Sequence, residues 1–215
     1  MTTAAALCFL AFFIAAITDW NAVALGNQRL EFVVKPAATA FLLIAAALCE
    51  TADPARRWWF VAALACSLAG DVFLMLPTRQ FVAGLASFLV AHVLYIVGFA
   101  VDAPREWPIG WCLAIVIVLG TVAAVPLING IRSGSERALL APVLMYMTAI
   151  SVMVAFAIST GLAWAIIGAS FFFVSDYLIG WSKFVRGDEG RNSVQVAIMA
   201  TYHVAQLGLV VSLLR

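Results

Sequence analysis

Eight apolar runs, each close to the length of a membrane crossing, alternate along this chain with short polar breaks. They fall near Ala4–Ala24, Phe32–Cys49, Trp58–Pro77, Phe81–Val101, Ile109–Asn129, Ala138–Ile158, Leu162–Phe184 and Val194–Leu214. A transmembrane helix needs about 20 predominantly apolar residues to cross the hydrocarbon core. Eight of them use about 160 of the 215 residues and leave about 55 for connections. Breaks such as Glu50–Arg57, Asp102–Pro108 and Arg132–Arg137 leave no room for a soluble domain. The pattern predicts an all-α, polytopic membrane protein, a bundle of eight transmembrane helices forming a single domain over residues 1–215. Trp58 with Trp59, and Trp107 with Trp111, sit at run ends, where indole rings favour the membrane interface.

Composition narrows the function classes. Hydrophobic residues make up 65% of the chain and charged residues 11%, against roughly 45–50% and about 25% in soluble domains. Mean hydropathy is +1.07. A net charge of +1 with no basic patch excludes a nucleic-acid partner, which would demand clustered Lys and Arg. Cys8, Cys49, Cys66 and Cys112 lie in apolar stretches without paired spacing, so they are expected to pack as small hydrophobes. No basic segment precedes the first run, which therefore reads as an uncleaved span.

Charge also orients the bundle. The connections after the first, third, fifth and seventh spans carry Arg29, Arg79, Arg132, Arg137, Lys183, Arg186 and Arg191. The opposite side carries Arg56, Arg57, Arg105 and Arg215. The positive-inside rule places the first group in the cytoplasm. A weak repeat runs through the chain: Gly70-Asp71 recurs as Ser175-Asp176 after 105 residues, and Pro36 recurs as Pro142 after 106. Two parallel four-helix halves would produce that spacing.

Polar residues inside the runs carry the functional signal. An ionisable group at the centre of a membrane helix costs about 2.5–3.5 kcal/mol on insertion scales. Asp71 lies six residues before Pro77 and Asp176 seven before Lys183, which puts each about 10 Å below the same face at 1.5 Å rise per residue. Ser67 shares the face of Asp71 one turn earlier. Phe81, Phe88, His92 and Tyr95 line one face of the fourth span, Tyr202 and Gln206 form an i,i+4 pair in the eighth, and Lys35 enters the second. A lone histidine or aromatic stripe in an apolar helix is usually packing. Convergence of several such spans on one level points instead to a shared polar site. With only His92 and His203 in the chain, a three-histidine zinc site cannot form, and no metal or cofactor is expected. Neither a serine nucleophile elbow nor a phosphate-cradling glycine loop is present. Acid–base chemistry by carboxylates remains.

These residues resemble the YhhN-like membrane family, which includes the lysoplasmalogenases. The resemblance is carried by Lys35-Pro36, Gly70-Asp71 with Leu74, and Phe81/Gly84/Phe88/His92/Tyr95. It continues through Pro142 with Tyr146, Gly168-Ala169 with Phe172, Ser175-Asp176, Lys183-Phe184 and Tyr202 with Ala205-Gln206. It implies an eight-helix hydrolase that cleaves the vinyl-ether bond of lysoplasmalogens, releasing a fatty aldehyde and glycerophosphoethanolamine or glycerophosphocholine. The family's two acids map onto Asp71 and Asp176, and Tyr146 and Ser175 join the supporting set. Vinyl ethers hydrolyse by protonation of the β-carbon to an oxocarbenium ion that water attacks. Two carboxyl groups suit that chemistry, as they do in glycosidases. Tyr202, Tyr95 and His92 are candidates to position water or the acids, with Ser67 and Gln206 in support. Lys35 and Lys183 are candidates for the phosphate, and the Phe-rich faces for the hydrocarbon chain. The expected partners are a lysophospholipid substrate and membrane lipids, with no protein partner evident. The site is expected to open toward the cytoplasmic leaflet of the cell membrane. The competing class is a proton-coupled transporter, which also places Asp and Lys inside helices but needs access from both faces.

Overall fold

The computed structural model of the protein describes residues 2–76, 80–102, 105–186 and 191–214. The described residues form no strand. Eight helices are long and apolar enough to cross a membrane: α1 (Thr3–Ala24), α2 (Gln28–Leu48), α3 (Pro54–Met75), α4 (Phe81–Asp102), α5 (Ile109–Ser133), α6 (Leu140–Ser159), α7 (Ala163–Trp181) and α8 (Arg191–Val211). A 3₁₀ turn, Arg137–Leu139, leads into α6, and a wider π turn, Ser182–Arg186, extends α7. Pro77, the expected end of the third span, lies outside the described residues. So do Arg79 and Arg215, which entered the orientation count.

Local chemistry shifts several helix ends from where hydropathy alone puts them. Thr2 caps α1 by accepting a hydrogen bond from the Ala5 N–H at 3.2 Å. Asn27 caps α2 in the same way from the Leu30 N–H, so α2 begins four residues before the apolar run and takes in Arg29 and Glu31. Pro54 starts α3, where its missing N–H costs nothing, and draws Arg56 and Arg57 into the helix. Gly26 and Gly161, with φ of 67° and 68°, make the left-handed turns that reverse the chain after α1 and after α6. A side chain there would be strained.

The helices pack in a repeating scheme. Neighbours in sequence form the pairs α1·α2, α3·α4, α5·α6 and α7·α8, with α2·α3 and α6·α7 joining pairs within each half. Across the halves, α8 packs on α2 and α4 packs on α6. These two crossings correspond under the spacing that relates Asp71 to Asp176. The main core runs from Phe12 and Leu42 through Phe60, Tyr95 and Phe172 to Leu209. Large apolar side chains such as Leu10, Ile14, Val118 and Val122 point outward, as a lipid-facing surface requires. Trp58, Trp107 and Trp111 are exposed near helix ends.

Glycine sets the tightest crossing. A Cβ on Gly168 would lie 2.6 Å from the Leu209 nitrogen, and one on Gly208 would lie 2.9 Å from the Gly168 Cα. The α7 and α8 backbones meet there, as small residues permit in membrane bundles. Gly168→Val is therefore expected to lower stability by about 1–3 kcal/mol through overpacking. Gly110→Val, with nothing within 4 Å of its Cβ position, should be close to neutral. Thermal unfolding of the detergent-solubilised variants measures the difference.

Candidate active site

Asp71 and Asp176 both sit within α-helical segments near the same ends of the bundle. Asp71 is four residues before the last residue of α3, and Asp176 is five before the last of α7, about 6–8 Å inward at 1.5 Å per residue. Each acid is enclosed by two helices besides its own.

The Asp71 carboxylate is buried between α2, α3 and α8. Its Oδ2 accepts hydrogen bonds from the Thr39 hydroxyl at 2.8 Å and the Tyr202 hydroxyl at 2.8 Å. Its Oδ1 faces the Lys35 ammonium at 3.5 Å. The Tyr202 oxygen in turn accepts from the Gln206 amide at 3.1 Å, and Gln206 Oε1 accepts from the Tyr95 hydroxyl at 2.8 Å. A chain of polar contacts thus runs from Lys35 through Asp71, Tyr202 and Gln206 to Tyr95. Every member is buried, so the network is anchored at one end by an ion pair and at the other by a neutral phenol.

The Asp176 carboxylate lies between α4, α6 and α7. Its Oδ2 accepts a hydrogen bond from the Tyr146 hydroxyl, and His92 Nε2 stands 3.5 Å away. His92 is fully buried and packs edge-on against Tyr146 and Phe172, with ring centroids 5.1 and 4.7 Å apart. Phe172 separates the two acids' surroundings: it touches His92 on one side and Tyr202 on the other, the latter at 5.6 Å. Phe88 packs against both Phe172 and Tyr202.

A narrow cavity has Asp176 and Tyr146 in its wall. It runs past Phe88 to Phe81 and Phe184, at the helix ends beside the π turn. This is the side of the connections after α1, α3, α5 and α7. Asp71 does not line the cavity; Phe88, which does, packs edge-on against Tyr202, whose hydroxyl donates to Asp71. Lys183 does not line the cavity; its ammonium stands 4.7 Å from the ring centroid of Phe81, which does, and 2.9 Å from a Glu136 carboxylate oxygen.

Two candidate residues make contacts that their spacing did not announce. Lys35 was expected near the surface to meet a phosphate, yet it is 7% exposed and paired with Asp71. The Lys35 side chain turns inward because the acid offers its ammonium a buried partner. Ser175 does not reach either acid through a hydrogen bond; its hydroxyl donates to the Ile198 carbonyl at 3.1 Å and ties α7 to α8. Ser67 is buried one turn before Asp71, with no hydrogen-bond partner for its hydroxyl among the described residues. All four cysteines are free, with Cys49 and Cys112 buried.

Sequence reasoning missed three members. Asp19 is fully buried, and neither of its oxygens has a hydrogen-bond partner among the described residues. It lies five residues before the end of α1, at the depth that singled out Asp71 and Asp176, so the same rule finds it. His203 is buried next to Tyr202, and its Nδ1 accepts from the Trp20 indole N–H at 2.9 Å. Thr39, one turn after Lys35, had no signal beyond its spacing. No group of three or more His, Cys, Asp or Glu with metal-holding geometry occurs among the described residues.

Comparison with known proteins finds a family and several relatives similar to this chain. Residues 30–213 match the YhhN family. A lysoplasmalogenase of Mycobacterium bovis is 34% identical over 186 residues, which cover 85% of this chain and 69% of that protein. Lysoplasmalogenase TMEM86B of Homo sapiens is 31% identical over 155 residues, covering 71% of this chain and 62% of its own. The Mus musculus protein of the same name is 29% identical over 161 residues, covering 74% and 64%. No solved structure matches the chain.

The buried ion pair makes a prediction. Asp71→Ala leaves the Lys35 ammonium buried without its carboxylate, which is expected to lower stability by about 3–5 kcal/mol. The double variant Lys35→Met/Asp71→Leu removes both charges and should recover most of that loss. Unfolding followed by tryptophan fluorescence in detergent separates the two.

Proposed function

We propose that this chain, which belongs to the YhhN family, is an integral membrane hydrolase that cleaves the vinyl-ether bond of lysoplasmalogens. One observation carries the reading: Asp176, held by Tyr146 and flanked by His92, stands in the wall of a largely apolar cavity that extends to Phe81 and Phe184, against whose rings the Lys183 ammonium packs. A lysophospholipid has that shape, a charged head group on a long apolar chain. The eight spans act as one unit, since each acid draws a partner from the other half of the chain.

In the proposed reaction, Asp176 donates its proton to the β-carbon of the vinyl ether. The electron pair of the double bond forms the new C–H bond, and the positive charge falls on the adjacent carbon and the ether oxygen. Asp176, now a carboxylate, accepts a proton from the water that attacks that carbon, and is thereby restored. The resulting hemiacetal breaks its bond to the glycerol oxygen, which takes the hydroxyl proton, and the carbonyl of the aldehyde forms. One water is consumed, and no oxidant or reductant is needed. Asp71 does not touch the substrate in this scheme. Its charge, fixed by Lys35, Thr39 and Tyr202, stabilises the oxocarbenium ion across the Tyr202 and Phe88 layer, as preorganised dipoles and charges do in a water-poor site. Tyr146 orients Asp176, and Lys183 meets the phosphate at the Phe81 and Phe184 end of the cavity. The Lys/Arg bias sets that end in the cytoplasmic leaflet of the cell membrane.

The test is aldehyde release from a lysoplasmalogen by the purified protein in detergent. Asp176→Asn removes the proton donor while keeping the side-chain volume, so turnover should fall by about 10²–10⁴-fold, the usual contribution of a positioned acid or base. Asp71→Asn should also reduce kcat. Near-normal turnover of folded Asp176→Asn would remove that residue from the chemistry.

A further inference from the structure

We infer that Asp19, on α1, is a positioning residue of the hydrolase site: it shares the Lys35 ammonium with Asp71, so that Lys35 does not cancel the negative charge facing the cation formed beside Asp176. The inference rests on the hydrolase reading and adds a third acid to it.

The buried face of α1 runs through Phe12, Ala15, Ala16, Asp19, Ala22 and Val23, the three- and four-residue steps of a helical stripe. Asp19 is therefore turned into the bundle rather than toward lipid, and none of its surface is exposed. Helix α1 packs on α2 and α8. The buried face of α2 begins at Lys35 and continues through Ala38, Thr39 and Leu42. Asp19 stands five residues before the end of α1, and Lys35 seven after the start of α2. In antiparallel neighbours joined by a short turn, those positions differ in level by about 3 Å at 1.5 Å per residue. The ammonium and the Asp19 carboxyl lie within electrostatic range of each other.

One ammonium thus serves two acids. Lys35 Nζ stands 3.5 Å from Asp71 Oδ1, beyond the about 2.7–3.2 Å of a hydrogen bond. That oxygen has no hydrogen-bond partner among the described residues, and neither oxygen of Asp19 has one. The other charged groups in range of Asp19 are Glu31 on α2 and Asp71 on α3, both acids. On α8 the titratable neighbour is His203, whose Nδ1 accepts from the Trp20 indole N–H. A ring nitrogen that accepts carries no proton, so this imidazole is neutral and adds no charge. Lys35 with Asp71 alone is a neutral pair, which presents only a dipole to a cation beside Asp176. Two carboxylates with one ammonium carry one net negative charge, whose field falls off more slowly with distance. In a water-poor site such a fixed charge stabilises a developing cation.

The experiment compares two substitutions at Asp19. Asn nearly matches Asp in volume but carries no charge, while Glu restores the charge on a longer stem. On a lysoplasmalogen, Asp19→Asn should lower kcat about tenfold with KM unchanged, the scale of one charge acting over about 10 Å at an effective dielectric of about 20. Asp19→Glu should recover most of that loss. A packing role predicts the reverse order, with Asn close to the wild type and Glu impaired. Wild-type kcat in Asp19→Asn, a loss confined to KM, or Glu below Asn would overturn the inference. Unfolding in detergent separates this from a failure of the hydrolase reading, because it needs no turnover. Once Asp71→Asn has removed one acid, Asp19 is the carboxyl still buried with the ammonium. Asp19→Asn should therefore lower the unfolding midpoint more in the Asp71→Asn background than in the otherwise wild-type protein, the signature of coupled sites. Equal shifts in the two backgrounds would mean that the acids do not share Lys35, whether or not aldehyde is released.

Discussion

A carboxylate inside a membrane is costly unless donors surround it, and at Asp71 and Asp176 that cost shapes the packing of this bundle. Each acidic side chain at the helix centre costs about 2.5–3.5 kcal/mol to insert, so a pair of them persists only where the fold supplies partners. Asp71 takes its partners from α2 and α8, and Asp176 from α4 and α6. In both cases one of the two helices belongs to the other half of the chain. The α2·α8 and α4·α6 contacts are therefore places where the halves interlock through the acids, while α1·α8 joins them by packing.

The two acids are related by the repeat but differ in their surroundings. Asp71 faces an ammonium and does not line the cavity. Asp176 has a phenol and an imidazole instead and stands at a cavity. The two positions are alike in depth but not in partners: Asp71 has a buried ammonium beside it, and Asp176 has a phenol, an imidazole and the cavity. Lys35 is the residue that makes the difference, because among the described residues no Lys or Arg side chain pairs with Asp176 in its place. Glycosidases divide labour between two carboxyl groups for a comparable cation, though there both groups touch the sugar.

Much of this was legible in the sequence. Eight apolar runs give the eight helices, because in a membrane every backbone polar group must be bonded within its own segment and length alone then defines a span. Helix starts were less legible: Asn27 and Pro54 begin α2 and α3 inside polar sequence that hydropathy discards. The depth rule singled out Asp71 and Asp176 and applies equally to Asp19, whose apolar run continues on both sides. What the sequence hides is pairing across long separations. Tyr202 lies 131 residues from Asp71, and nothing local marks it as that acid's donor rather than the other's. The direction of Lys35 was hidden for the same reason. A lysine near a helix end usually extends its ammonium to the surface, unless an acid on another helix waits for it at depth.

The central claim is that carbon protonation by a buried acid starts the reaction, and hydrolysis in D2O tests it most directly. The aldehyde released from a lysoplasmalogen, trapped at once and analysed by mass spectrometry, should carry one deuterium on the carbon next to the carbonyl, with the glycerol oxygen unchanged when the water is also labelled with heavy oxygen. Aldehyde without that deuterium, or glycerol carrying the solvent's oxygen, would contradict protonation at carbon and with it the role assigned to Asp176.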